Sequence, residues 1–417
     1  MMKIFDRIEI IQNSTLTGEK KSLRFKNENK IYDVKNIPLN ALLYNPYNGR
    51  IGSMVQSFES SQNRRINNEN PEDIKVIEQY LYDSSSARNE KTIESLKEIG
   101  QQEVGIVTKD GVIIDGNRRA CMLNILLRKG NDVDTFKAIV LDYELKDNEK
   151  DITLLETRYQ MGVDSKVDYN PIEKYIRCND LLNKHNFTIQ EIAELMAETD
   201  ATINEWLNRF NLMEDYLVYL NTPKVYTRLE KREGHFVDLK NYLNNYNQKK
   251  TLSWEYKNNN ITDLKNSYFD YIRLGVPVQR TRVIAKPSTG NSFFTNKDVW
   301  EEFISEHKKI KENVIEKSFI ELNEKFPNYS NEEIIQIIDD HWVKEIKESL
   351  LENLSFNEIT LKEINESFLP LKILKRVKNT LNNINLANIE SSTFEESGFI
   401  ISDIESKLDE IKNAINS

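Results

Sequence analysis

The sequence predicts an α+β N-terminal domain followed by a mainly α-helical remainder. Three observations carry that prediction. Between residues 100 and 143, β-branched apolar runs and one helical apolar pattern follow in the order strand, strand, turn, helix, strand. Only 13 Gly and 9 Pro occur in 417 residues, too few turn formers for a large β-sandwich or barrel. After residue 144 the apolar residues recur at helical spacing almost to the end.

Taken in order, Ser22 to Pro38 reads as short extended pieces, SLRFK and IYDVKNIP, and ALLYNPYNGRI then turns at Pro46 and Gly49. Residues 53–90 are polar, with one amphipathic patch from Ile74 to Tyr82, and are expected to form an insertion or flexible lid. In TIESLKEIG, Ile93, Leu96 and Ile99 stand at helical intervals and Gly100 supplies the cap. VGIVT and VIID read as strands joined by Lys109-Asp110-Gly111, a hairpin signal. Gly116-Asn117-Arg118-Arg119 leads directly into the helical pattern ACMLNILLRKG, and FKAIVLDY is the next strand. Residues 144–168 are charged and helical, and Asn170-Pro171 opens a long helical section. From about residue 240, amphipathic helices are broken by NNN, Pro277, Pro287 and Pro327. The expected domains are 1–148, 149–235 and 236–417.

Composition narrows the class. Hydrophobic residues make up 39%, enough for buried cores, so wholesale disorder is excluded. Lys+Arg 57 against Asp+Glu 67 leaves a net charge of -10, so nucleic acid cannot be held by bulk positive charge and any contact must be local. Cys121 and Cys178 are too few for a disulfide framework or a four-thiolate zinc site, and the four histidines lack metal-ligand spacing. No apolar signal core or bilayer-length run occurs, which predicts a cytoplasmic protein with no membrane partner. Its Asn, Lys and Ile usage suits an AT-rich bacterial genome. GxSxG, HExxH and GxxxxGK[ST] are absent.

The most informative segment is IIDGNRRACML. A strand delivers the chain through a glycine into the first turn of a helix, where free N–H groups and the dipole attract an anion. Arg118 and Arg119 add planar donor forks suited to phosphate. The competing reading makes both arginines ordinary surface ion pairs. Ile37-Pro38 with Asn45-Pro46 and Arg50, then SLKEIG at 95–100 and DGNRRA at 115–120, resemble the ParB/sulfiredoxin nucleotide-binding fold. The resemblance covers about residues 20–225. It implies a nucleotide on Asn45, Arg50, Asp115, Gly116, Asn117, Arg118 and Arg119, and a Glu-Asn pair in a later helix holding Mg²⁺. Here LLETRYQMG keeps Glu156 and replaces the amide by Thr157, so Glu156 is the metal candidate and, with Arg118 and Arg119, the catalytic candidate for slow hydrolysis of CTP or ATP. A solvated helix charge is the other reading of Glu156.

Residues 188–207 fit a helix-turn-helix. Thr188 caps the first helix with Glu191 completing a box, and Thr199 caps the second, whose Ile203, Trp206, Leu207 and Phe210 form a stripe. The resemblance places such a module after the nucleotide domain, with Asn170-Pro171-Ile172-Glu173 before it. The DNA-facing candidates are Thr199, Thr202, Asn204, Asn208 and Arg209. Against them stand Glu191, Glu194, Glu198, Asp200 and Glu205, so a protein-interaction or structural module remains the alternative. Residues 273–297 hold five cations and no acids, suggesting an irregular or β-like basic element with Arg280 and Arg282 on a nucleic-acid backbone and Phe293 and Phe294 available to stack. A surface loop paired to acids elsewhere is the other reading. Residues 303–326 suggest one amphipathic helix through Phe303, His307, Ile310, Val314 and Lys317. The leading expectation is a ParB-like, nucleotide-responsive DNA-binding homodimer. A phosphotransferase or nuclease on the same fold, in a mobile element or antiphage system, and a protein-interaction adaptor are the alternatives.

Overall fold

The computed structural model describes residues 3–25, 28–147, 149–160, 170–248, 252, 254–287, 291–385 and 390–416. Helix α1 (Ile4–Gln12) precedes strands β1 (Thr15–Phe25) and β2 (Glu28–Pro38). Helices α2 (Gly52–Gln62), α3 (Pro71–Asp83) and α4 (Ser86–Ile99) lead to β3 (Gly105–Val107), β4 (Ile113–Asp115), α5 (Asn117–Arg128) and β5 (Thr135–Val140). The strands form one mixed sheet in the order β1-β2-β5-β3-β4, with β3 and β5 parallel and the other pairs antiparallel.

Alternation along the strands sends neighbours to opposite faces. Val107, Ile113, Phe136 and Ala138 join Ile77, Leu96, Leu123 and Leu126 in one core. Ile106, Ile114, Ile139 and Leu141 join Leu23, Val34, Ile152 and Leu155 in the other. Ile152 and Leu155 belong to α6 (Glu149–Gln160), so both faces of the sheet are covered.

Two expectations for this region need correction. The extended pieces are two eleven-residue strands, the first beginning at Thr15, before Ser22, and the second at Glu28, with an irregularity in the first between Leu16 and Lys20. The lid of residues 53–90 is instead three ordered helices whose Val55, Ile77 and Leu81 are fully buried. Asn70 caps α3 by accepting from the backbone N–H groups of Glu72 and Asp73, with Pro71 in its first turn. The many serines are not loop formers here. Ser57, buried in α2, donates to the Ser53 carbonyl at 2.6 Å, and its compact hydroxyl accepts from the Thr227 N–H at 3.1 Å.

Next come α7 (Pro171–Asn183), α8 (Ile189–Met196) and α9 (Asp200–Tyr219), packed around Cys178, Leu181, Phe187, Ile192, Ala193 and Ile203. Thr188 and Glu191 form the expected capping box on α8, and Thr199 accepts from the Thr202 N–H on α9. Of the stretch 144–168 read as helical, residues 148 and 161–168 lie outside the described residues.

Helices α10 (Glu233–Asn247), α11 (Asn258–Arg273), α12 (Val278–Ala285), α13 (Lys297–Glu312) and α14 (Phe319–Lys325) follow. Their aromatic core includes Tyr246, Phe293, Phe294, Trp300 and Phe303, all nearly inaccessible. The basic stretch 273–297 is therefore neither irregular nor β-like over 278–285, because Pro277 and Pro287 flank a short helix that buries Thr281, Ile284 and Ala285. Phe293 and Phe294 lie in the core and are not surface stacking groups. The helix expected over 303–326 ends at Glu312, leaving Val314 and Lys317 in the link to α14.

Contacts divide the chain into Met1–Leu354 and Ser355–Ser417. Helix α15 (Asn331–Ser367) runs through that division, and the second unit adds α16 (Leu369–Asn382) and α17 (Phe394–Asn416). No helix of the described residues is long and apolar enough to cross a membrane.

Candidate nucleotide-binding cleft

The turn between β4 and α5 is built around Gly116. Its φ of +102° lies where L side chains rarely sit, and a Cβ there would come within 2.7 Å of the Phe136 ring. Gly105, on the neighbouring strand, meets the same ring, so Phe136 fills the floor beneath both glycines. Gly116, the N-cap of α5, has no side chain to bond the first-turn N–H groups, which a helix start leaves without intrahelical partners.

The loop of residues 43–51 wraps this helix end. Leu43 bridges to Val112, and its N–H donates to the Gly111 carbonyl at 2.8 Å. The Asn45 N–H donates to Asn117 Oδ1 at 2.8 Å, and Asn117 Nδ2 donates to the Ile113 carbonyl at 2.8 Å. Asn48 Nδ2 returns to the Asn45 carbonyl, and Asn48 Oδ1 accepts from the Arg50 N–H at 3.1 Å. Asn48, Arg50, Thr92, Asp115, Gly116, Asn117, Arg118, Arg119 and Tyr159 enclose a cleft of about 110 Å³.

Arg50, Asp115, Gly116, Arg118 and Arg119, the residues the resemblance implies, thus meet in one place. Asn45 and Asn117 act differently. Both are buried, and their side chains are spent holding the loop to the sheet. Sequence reasoning missed Asn48, Thr92 and Tyr159. Asn48 stands three residues after Asn45, the spacing of a polar turn, whereas nothing local distinguishes Thr92 on α4. Tyr159 is one turn beyond Glu156, and its ring carries the Lys21 ammonium at 5.6 Å from the centroid.

Glu156 is not a solvated charge. Its carboxylate is 4% exposed, with Arg177 Nη2 at 3.1 Å from Oε2 and Asn45 Nδ2 donating to Oε1 at 3.2 Å. Thr157 is inaccessible and donates its hydroxyl to the Thr153 carbonyl at 2.7 Å. Neither residue lines the cleft. Mg²⁺ needs open oxygen ligands, so the donor set at 156–157 does not fit it. No group of three or more His, Cys, Asp or Glu suited to a metal occurs among the described residues. Arg177 also donates to the Tyr47 carbonyl at 3.3 Å, tying α6, α7 and the 43–51 loop together.

A second carboxylate fastens α7 to the cleft domain. Glu173 accepts from the Ser53 N–H at 3.1 Å and the Ser53 hydroxyl at 2.5 Å, satisfying the start of α2. Burial pushes its carboxyl up to about 7 against the pull of the Ser53 bonds and Arg177.

The DNA-facing candidates lie apart from this cleft. The Thr199 hydroxyl is used in capping, Thr202 is half-buried, Asn204 donates to the Asp200 carbonyl at 2.8 Å, and Asn208 is exposed. Arg209 pairs with Glu205 at 2.8 Å and approaches the Tyr175 hydroxyl at 3.4 Å. Arg280 and Arg282 stand on α12, which packs on α10 and α11, and Arg282 pairs with Asp238 at 2.7 Å. Arg273 is buried between Asp339 and Glu316.

No family model and no curated protein matches the chain. The chain is similar to ParB. One solved structure, the C-terminally truncated chromosome-partitioning protein ParB from Caulobacter crescentus complexed to the centromeric parS site, matches at 15% identity over 48% of this chain and 89% of that chain, with a TM-score of 0.27. The same truncated ParB complexed with CTP-gamma-S matches at 17% identity over 50% and 92%, with a TM-score of 0.18.

Proposed function

We propose that this chain is a nucleotide-responsive DNA-binding protein that holds a nucleoside triphosphate, CTP or ATP, in the cleft at the α5 N-terminus. The observation that carries the reading is the convergence of Arg50, Arg118 and Arg119 on an uncapped helix start in a protein of net charge -10. Phosphates would lie on the α5 N–H groups and the guanidinium forks, and the Tyr159 ring offers an apolar face to a base. Slow hydrolysis would draw on electrostatic stabilisation by Arg118 and Arg119.

DNA would meet α8 and α9 as a helix-turn-helix, with Asn204 and Asn208 as base readers and Thr199, Thr202 and Arg209 beside the backbone. Arg280 and Arg282 on α12 would add cations. A homodimer would form along α17, where Ile401, Ile404, Leu408, Ile411 and Ile415 recur at alternating spacings of three and four and no residue is buried. A second reading, a protein-interaction adaptor, draws on the pairing of Arg209 with Glu205 beside four further exposed acids on α8 and α9.

Isothermal titration of CTP and ATP into the full chain tests the main reading. It predicts saturable binding that Arg118→Ala weakens by about tenfold or more. No binding by either nucleotide would sink it. Retention of duplex DNA in a low-salt shift assay favours the DNA role, and none at any salt favours the adaptor.

A further inference from the structure

We propose that a second cavity, between the end of α9 and helices α14 and α15, binds a small organic monoanion: an apolar body carrying one carboxylate. It shares no lining residue with the cleft at α5, and its occupation requires no nucleotide. The cavity measures about 280 Å³, close to the lower limit of roughly 300 Å³ for small-molecule pockets, so the ligand is small. Leu220, Phe319, Ile335 and Ile338 supply apolar walls. Arg228 and Lys317, with Thr222 and Ser318, add a few polar groups, the usual make-up of a site that orients an organic molecule.

The polar groups do not balance among themselves. The Arg228 side chain is only 7% exposed. Its Nη1 donates to the Thr222 hydroxyl at 2.7 Å and its Nη2 to Asp339 Oδ1 at 2.6 Å, while Nε is buried and meets no acceptor among the described residues. A buried charged donor left unmade is costly. Asp339 is also shared, because Arg273 Nε donates to the same Oδ1 at 2.8 Å and Arg273 Nη2 to Glu316 at 2.5 Å. Lys317 is exposed and forms no hydrogen bond or ion pair with the described residues. Arg228, Arg273 and Lys317 thus stand against two carboxylates, Asp339 and Glu316, and one positive charge is left over. Burial lowers the Arg228 pKa in spite of Asp339, as expected of a cation whose desolvation is not fully offset. A single carboxylate closes the balance and brings acceptors to Arg228 Nε and the Lys317 ammonium. A dianion such as phosphate would set its second charge against Glu316, which lines the same cavity.

Isothermal titration of butanoate, hexanoate, octanoate and benzoate into the full chain, each beside its matching alcohol, tests the site. At least one acid is expected to bind saturably at one per chain, and at least about tenfold more tightly than its alcohol. Lys317→Glu, a change at an exposed position, should weaken that acid about tenfold while the melting temperature stays near that of wild type. Arg228→Lys, which keeps a cation for Asp339 and has no Nε, should weaken it as well. Ile338→Trp, which fills the cavity, should abolish binding. In methyl spectra of the wild-type chain, the Ile335 and Ile338 resonances should move as the acid is added. No saturable binding by any of the four acids, equal binding of acid and alcohol, or undiminished affinity in Lys317→Glu or in folded Ile338→Trp overturns the assignment.

Discussion

Arg177→Met tests the clasp that joins the cleft domain to the helices behind it. The guanidinium is 9% exposed and the Glu156 carboxylate 4%, so removing the cation takes the 3.1 Å ion pair from a buried anion that keeps its bond from the Asn45 amide. Taking one partner from such a pair costs about 3–5 kcal/mol, whereas an exposed pair costs under about 1 kcal/mol. Glu156→Gln keeps the side-chain shape, and one amide orientation still accepts from Asn45, so its expected cost is lower, about 1–3 kcal/mol. Combining Arg177→Met with Glu156→Leu removes both charges and should restore stability to within about 1 kcal/mol of wild type. Urea unfolding followed by circular dichroism reads all four proteins, with the midpoint of the Met1–Leu354 unit compared at constant slope. If Arg177→Met unfolds within about 1 kcal/mol of wild type, the pair is not buried in solution and the clasp reasoning fails.

Two further outcomes follow from the same region. Glu173 has its carboxyl raised from 4.5 to about 7, so the folded chain binds its proton more tightly than the unfolded chain does. Stability from this group is then full below about pH 4.5 and falls as pH rises towards 7, by an amount of the order of 3 kcal/mol. The difference in melting temperature between Glu173→Gln and wild type, measured across that window, should shift in favour of the variant with rising pH; a pH-independent difference contradicts the assignment. Gly116→Ala combines a left-handed backbone with a Cβ only 2.7 Å from Phe136, and should lower stability by about 2–5 kcal/mol. A thermal shift within error of wild type would show that the turn tolerates a side chain.

What could be read from the sequence was what is encoded locally. The hairpin at Lys109-Asp110-Gly111, the glycine before α5 and the Thr188–Glu191 box each depend on a few adjacent residues, and all three form as their residue types require. Arg50 joins Arg118 and Arg119 because the bridge between Leu43 and Val112 brings a distant loop to the same helix end. Residues 53–90 misled because Ser and Asn favour loops on average, while here buried hydroxyls and an Asn cap serve helices packed on the core.

Partner choice was not legible. Glu156 has the composition of a metal ligand and the address of a clasp, and only the approach of α7 distinguishes them. Arg273 looks like part of a basic surface until Asp339, far along the chain, is seen to neutralise it at 2.8 Å. Phe293 and Phe294 adjoin Gly and Pro punctuation, yet the fold closes over both. In each case residue type fixes what a side chain can do, and long-range packing decides which option it takes.

If the start of α5 receives nucleotide phosphates, its first-turn amides are the groups that the ligand covers. Backbone hydrogen exchange across residues 116–120, followed in the full chain with and without CTP or ATP, tests it most directly. The account predicts that nucleotide slows exchange at the Arg118 and Arg119 amides, whose N–H groups lie in the first turn of the helix. Nucleotide binding that leaves those amides unchanged and protects some other segment would contradict it.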